Sequence, residues 1–162
     1  MTTAADYIGR RFDVLALQGV QPSGDIQLTQ TLFNLANGGE VCTGIQRLAQ
    51  RWTLEFMTIR GSMPYHMAGR GSDFMLWVKH GLLRSEFDVR AYFNFAAQQV
   101  KTNLINEETT DMPDDERLQQ ATLQQIVLFD GSLGLSVNVS SLAGTTRDVI
   151  LPISITPANL TV

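Results

Sequence analysis

The sequence predicts an α+β fold, in which a helical middle packs on a C-terminal antiparallel β-meander and an N-terminal β-hairpin comes first. Between about residues 43 and 104, apolar residues recur every three to four positions, as they do on one face of a helix. From about residue 123 onward they alternate with polar residues, which is the period of a half-buried strand. This change of period separates a helical region from a strand region and thereby predicts the fold class.

The N-terminal segment has the pattern of a β-hairpin. Residues 11–18 and 25–32 are strand-like, and they flank a turn cluster with proline and glycine at residues 21–24. We therefore divide the chain into a hairpin arm, residues 1–38, and a main domain, residues 39–162.

The most clearly marked element is an amphipathic helix that begins at Thr43. Thr43 and Gln46 have the spacing of a capping box, and Gly61 is a typical C-terminal stop. The apolar stripe consists of Ile45, Leu48, Ala49, Trp52, Phe56 and Ile59.

Two arginines lie one turn apart on the other side of this helix. These are Arg47 and Arg51, and the helix carries no residue in a recognisable catalytic motif. Arg51 is four residues before Glu55, which is the spacing of an ion pair on a helix. A well-defined helix with arginines on its outer face is suited to docking, so we expect Arg47 and Arg51 to bind a partner.

Two further helices are predicted before the sheet. A short one covers residues 72–80, and a long one starts at Ser85, where Asp88 completes a capping-box pattern. Tyr92 and Phe95 lie partly off the apolar face of the long helix, so we expect them to meet a neighbouring chain. That apolar face consists of Val89, Phe93, Ala96, Val100 and Leu104.

Three strands are predicted after the acidic, turn-like segment 106–116. The first covers residues 123–129 and the second covers 133–139, with turn signals at Asp130-Gly131 and Ala143-Gly144. Pro152 interrupts the third strand and cannot donate a ladder hydrogen bond, which predicts a place at the sheet edge. The apolar positions of the third strand are Val149, Leu151, Ile153 and Ile155.

Composition excludes several classes of partner. The 162-residue chain has a net charge of −4 and no run of basic residues, which argues against nucleic acid. No apolar stretch approaches the ~20 residues of a membrane span, and the start of the chain lacks the pattern of a signal peptide. Cys42 is the single cysteine, which fits a reducing compartment or a particle assembled in the cytoplasm.

The residues that could carry chemistry do not form a recognisable pattern. His66, His80 and Cys42 lack the spacing of metal ligands, and no nucleophile motif is present. The carboxylates of residues 111–116 lie together in a polar segment, whereas a catalytic acid needs an apolar pocket. We therefore expect no enzymatic activity and no cofactor.

Three stretches, taken in order, resemble a known family. They are residues 43–52 with 58–62 and 71–74, residues 114–118, and the strand set ending at residues 143–144 and 151–153. Together they resemble the baseplate wedge and sheath-initiator family of contractile injection systems, which includes phage tail baseplate subunits and a type VI secretion component. The resemblance runs from about residue 39 to 155, and the family has a fold sometimes labelled lysozyme-like.

The resemblance implies a wedge contact just before the sheet. In the family a Glu-Pro-Arg motif there helps to hold the subunit to partner helices. Arg117 matches the arginine. Either Asp115 takes the acidic position and Glu116 replaces the proline, or Glu116 is the acid and the proline is absent. Asp115, Glu116 and Arg117 are therefore the candidate wedge-binding residues.

The resemblance also implies a structural role for the sheet. Family members present a sheet edge to which extended arms of the tail sheath protein add, which is β-augmentation. This makes the last strand, with Val149, Leu151 and Ile153, or the opposite edge a candidate partner site. The expected partners are baseplate wedge proteins and the tail sheath protein, with tube or hub proteins as further candidates, in a virion assembled in the host cytoplasm. A tail-completion or connector subunit, and more distantly a peptidoglycan hydrolase, are the alternatives.

Overall fold

The computed structural model describes residues 10–14, 41–64, 69–129 and 132–154, and it confirms the α+β class. Strand β1, Asp13–Val14, pairs antiparallel with β2, Val41–Cys42. Most of the predicted hairpin lies outside the described residues, as do the turn at 130–131, His66 and Ile155.

Helix α1, Gly44–Met57, is shorter than predicted. It ends before Gly61 because the chain after it is drawn into an isolated parallel bridge between Ile59 and Ser72. The Ser72 N–H donates to the Thr58 carbonyl at 2.9 Å, and the Arg60 N–H donates to the Ser72 carbonyl at 3.0 Å. These two bonds close the loop that follows α1.

Helices α2, Phe74–Lys79, and α3, Glu86–Asn106, follow the sequence prediction closely. The Asp88 N–H donates to Ser85 Oγ at 3.1 Å, which confirms the predicted cap of α3. The predicted apolar face of α3 is entirely buried: Val89, Phe93, Ala96, Val100 and Leu104.

The sheet is an antiparallel meander of β3, Leu118–Phe129, β4, Ser132–Ser141, and β5, Thr146–Ser154. The strand order β3-β4-β5 places β5 at an edge, as Pro152 predicted. Strand β3 begins at Leu118, five residues earlier than expected; Gln119, Gln120 and Thr122 interrupt the apolar alternation there, so the start of the strand could not be read from the sequence pattern. The described strands thus leave two edges, β3 and β5, and β4 is central.

The core lies between α1, α3 and one face of the sheet. The Phe56 ring centroid lies 4.9 Å from that of Trp52, 4.9 Å from that of Phe74 and 5.3 Å from that of Phe93. This aromatic cluster packs α1, α2 and α3 against one another. None of the helices in the described ranges has the length and hydropathy needed to cross a membrane. The sheet contributes the buried residues Leu133, Leu135, Val137, Val139, Leu151 and Ile153.

Candidate functional site

Glu116 joins the start of α1 to the segment before the sheet. Its side chain is fully buried, and its Oε1 accepts hydrogen bonds from Thr43 Oγ1 at 3.0 Å and from the Gly44 N–H at 3.2 Å. Its Oε2 accepts from Arg47 Nη1 at 2.8 Å. A carboxylate at a helix N-terminus satisfies free N–H groups and interacts favourably with the helix dipole. Glu116 therefore caps α1 from a distant part of the sequence.

This arrangement corrects the predicted capping box. The Thr43 side chain makes no capping bond to α1, because its hydroxyl donates to Glu116 instead. Gly44 has a φ of +61°, and a Cβ there would lie 2.8 Å from Asp115 Oδ2. Glycine is thus needed both for the backbone conformation and for the close approach of the Asp115 carboxylate, which forms an ion pair with Arg10.

A second group of ion pairs lies further along α1. Arg51 Nη2 contacts Glu107 Oε2 at 3.0 Å, and Glu107 also forms an ion pair with Arg70. The predicted pairing of Arg51 with Glu55 is wrong, because Glu55 faces Arg70. The second arginine of α1 is therefore used to hold the end of α3.

Glu55 is the buried centre of this second group. Arg70 donates to its Oε2 from Nε at 3.0 Å and from Nη2 at 2.8 Å. The Gly71 N–H and Asn103 Nδ2 each donate to its Oε1 at 2.8 Å. Burial alone would raise the pKa of Glu55, but the hydrogen bonds from Arg70, Gly71 and Asn103 outweigh it and lower the pKa.

Arg117 is held at the start of β3. Its Nε lies 3.1 Å from Glu108 Oε2, and its Nη1 lies 3.3 Å from Asp114 Oδ1. The other oxygen of Glu108 accepts the Leu118 N–H at 3.2 Å, so the same carboxylate fixes both the arginine and the strand. About a third of the Arg117 side chain remains exposed.

The structure corrects where several predicted site residues lie. Arg47 and Arg51 were expected on an open outer face, yet their side chains are only 13% and 14% exposed and both are ion-paired within the chain. Leu151 and Ile153 are buried in the core and Val149 is half-buried, so a partner would meet the main chain of β5 rather than these side chains. Their roles in partner binding remain predictions.

Sequence reasoning missed the polar residues that organise this region around the buried Glu55. Glu55, Arg70, Asn103 and Glu107 form one connected set, yet the pairs in contact are separated by 15 to 48 positions along the chain. The one usable signal was a charge close to the apolar stripe of α1: Glu55 lies three residues after Trp52 and beside Phe56, and a buried carboxylate requires partners.

Three observations concern the metal-binding and titratable side chains of the described residues. They contain no group of three metal-binding side chains. Burial raises the pKa of the Cys42 thiol, which opposes formation of the reactive thiolate. The shift at Glu55 is downward, whereas a general acid requires the opposite shift. The ion pairs described above join α1, the end of α3 and the segment before the sheet.

Comparison with protein-family models, curated proteins and solved structures finds no significant match to this chain. The family resemblance therefore rests on the motifs and on their order along the sequence.

Proposed function

We propose that this chain is a structural subunit of a contractile phage tail baseplate, which joins the wedge and initiates the sheath by β-strand augmentation. The proposal combines the family resemblance with one observation, a sheet edge that pairs with no other strand among the described residues and that lacks the features by which proteins protect such edges.

That edge is strand β3. Its twelve residues include no charged residue and no proline, and its side chains at Gln119, Gln120, Thr122, Gln124 and Gln125 are exposed. Charges and prolines are the usual means of preventing strand addition, so a long neutral edge is suited to accept a partner strand. The pairing register between β3 and β4 shifts twice, once between Leu118 and Gln120 and once between Leu123 and Gln125. From Gln125 to Phe129 the two strands pair without a further shift.

The opposite edge, β5, is better protected. Pro152 has no N–H and lies in an uninterrupted part of the ladder, so its nitrogen must face away from β4. Asp148 lies four residues before Pro152 on β5, so its backbone nitrogen faces the same side as that of Pro152, and its side chain adds a charge to this strand. We therefore assign the incoming sheath arm to β3 rather than to β5.

A pair of neighbouring proline variants tests this assignment. Ala121→Pro and Thr122→Pro affect successive residues of β3, one with its N–H toward β4 and the other with its N–H toward the free edge. The ladder-facing variant should lower the melting temperature strongly, and the edge-facing variant should leave it nearly unchanged. The edge-facing variant should still fail to co-purify with the sheath protein of the same phage, and its baseplates should carry no sheath.

The matched control is Asp148→Pro, which removes an N–H from the free side of β5. It should fold and support sheath assembly. If the variant with the edge-facing proline in β3 still forms normal sheathed tails, the proposal is contradicted. If only the β5 variant Asp148→Pro loses the sheath, the sheath arm binds at β5 instead of β3.

The wedge contact is assigned to the exposed part of Arg117. Glu108 orients this guanidinium, and an oriented arginine can donate to a partner carboxylate or a helix C-terminus. Arg117→Ala should leave the fold intact and reduce co-purification with the wedge partner. Arg90→Ala, which removes an exposed arginine from α3, is the control and should not change binding. Equal binding by both variants would remove Arg117 from the interface.

A further inference from the structure

The middle of strand β3 has nearly the same residue pattern in both directions. Residues 122–127 read Thr-Leu-Gln followed by Gln-Ile-Val, so residues at equal distances from the midpoint match in size or polarity. In a two-fold symmetric interface residue i contacts residue j and j contacts i, so such an interface needs a surface that matches itself. The matched pairs are Gln124 with Gln125, Leu123 with Ile126, and Thr122 with the equally branched Val127.

The backbone of the two halves is matched as well, because β3 contains one extra residue at this midpoint. Leu123 pairs with Val137 and Ile126 pairs with Leu135, whereas Gln124 has no partner on β4. Leu123 and Ile126 are thus opposite β4 residues two positions apart, so their main-chain groups point to the same side of β3. Two residues that face each other across an antiparallel pair must direct these groups alike, and Leu123 and Ile126 meet that condition.

The side chains at this edge are sorted by face. Leu123 and Ile126 pack against the core yet are only half-buried, since β3 has no strand on its other side among the described residues. Thr122, Gln124 and Gln125 are exposed. A strand that adds here with the matching alternation extends the apolar row on one face and the polar row on the other. Because β3 has no charged residue, two copies of this edge do not repel each other.

We propose that two unassembled copies of this chain pair antiparallel through β3, about a two-fold axis between Gln124 and Gln125. Leu123 of one copy lies opposite Ile126 of the second copy, and the two three-stranded sheets become one sheet of six strands. The pairing uses no property of the sheath, but displacement of the second copy by the sheath arm rests on the proposed function. An interface of one strand pair is small, so the dimer belongs to the weak class that another strand can replace.

Charges beside the axis provide the test. The two copies of residue 125 lie diagonally across the axis on the same face of the sheet, within ~8 Å of each other. Gln125→Lys and Gln125→Glu, each alone, should weaken the dimer by about fivefold, because like charges meet at the axis. An equimolar mixture of the two variants should recover at least the affinity of the unchanged chain. Sedimentation equilibrium of the full chain measures these dissociation constants.

The matched control places the same charges further from the axis. Gln120 is also exposed, but its two copies lie nine residues apart along the paired strands, or ~30 Å. Charges at that distance are screened, so Gln120→Lys, Gln120→Glu and their mixture should each change the affinity by less than about twofold. The edge-facing β3 proline should abolish the dimer without lowering the melting temperature.

Four results would overturn the inference. The chain could stay monomeric at every soluble concentration, the charges at residues 120 and 125 could act equally, the mixture could fail to recover affinity, or the dimer could survive the edge-facing proline. The last result would place the second copy on another surface.

These outcomes are separate from those of the sheath assignment. A monomeric chain whose tails lose their sheath with the edge-facing proline contradicts only the dimer. A dimer that obeys the charge test, in a chain whose edge-facing proline variant still builds sheathed tails, contradicts only the sheath assignment.

Discussion

Replacing Glu116 by glutamine tests how α1 is attached to the sheet. The change keeps the shape of the side chain and removes its charge. Arg47 is then left 13% exposed with no carboxylate partner, and the fully buried position 116 loses a charge-assisted hydrogen bond of 2.8 Å. Breaking a buried ion pair from one side costs about 3–5 kcal/mol, so the free energy of unfolding should fall by that amount.

The assay is denaturant unfolding of a double-mutant cycle. Arg47→Met alone should also destabilise the chain, but adding it to Glu116→Gln should cost little more, because no unpaired charge then remains. The control is Glu86→Gln, which breaks the exposed Glu86–Arg90 pair on α3 and should cost only about 0.3–0.5 kcal/mol. If Glu116→Gln costs as little as this control, or the two changes are additive, the buried-pair account is wrong.

Three further predictions follow from the same structure. Trp52→Ala should lower the free energy of unfolding by about 3–5 kcal/mol; Trp52→Phe should cost clearly less, because it also deletes an indole N–H that has no hydrogen-bond partner among the described residues. Glu55→Gln should destabilise the chain at neutral pH; because the native pKa of Glu55 lies below its ordinary value of 4.5, this difference should begin to shrink near pH 4.5 and be lost only once the pH has fallen below the lowered native pKa; a difference that persists in still stronger acid would contradict the assigned hydrogen bonds. Gly71→Ala should lower the melting temperature more than Gly61→Ala. Both glycines have a positive φ, but only at Gly71 would an added Cβ lie 2.6 Å from the Thr58 carbonyl oxygen. Equal drops in melting temperature would mean that backbone strain alone, and not this close contact, sets the cost.

The regular elements could be predicted because their signals are local. The stripe from Val89 to Leu104 and the alternation from Leu133 to Val139 each report which face is buried, and the structure buries those faces. Pro152 placed β5 at an edge for an equally local reason, its missing N–H.

The polar contacts could not be predicted because they join distant parts of the chain. Thr43 and Gln46 form a good local capping motif, but the side chain of Glu116 accepts hydrogen bonds at the same helix end. Arg51 has an acidic neighbour at the right helical spacing, yet Glu55 is taken by Arg70. In both cases a contact with a residue distant in sequence displaced the local one, and helical spacing alone gives no information about such contacts.

The central claim is that strand β3 accepts a strand from the sheath. The most direct measurement is a cryo-EM map of the assembled tail that contains this chain. We expect a fourth strand, contributed by a sheath subunit, hydrogen-bonded to the free edge of β3 between Gln119 and Phe129. A map in which that edge is open to solvent, or is covered by a segment of this same chain, would contradict the claim.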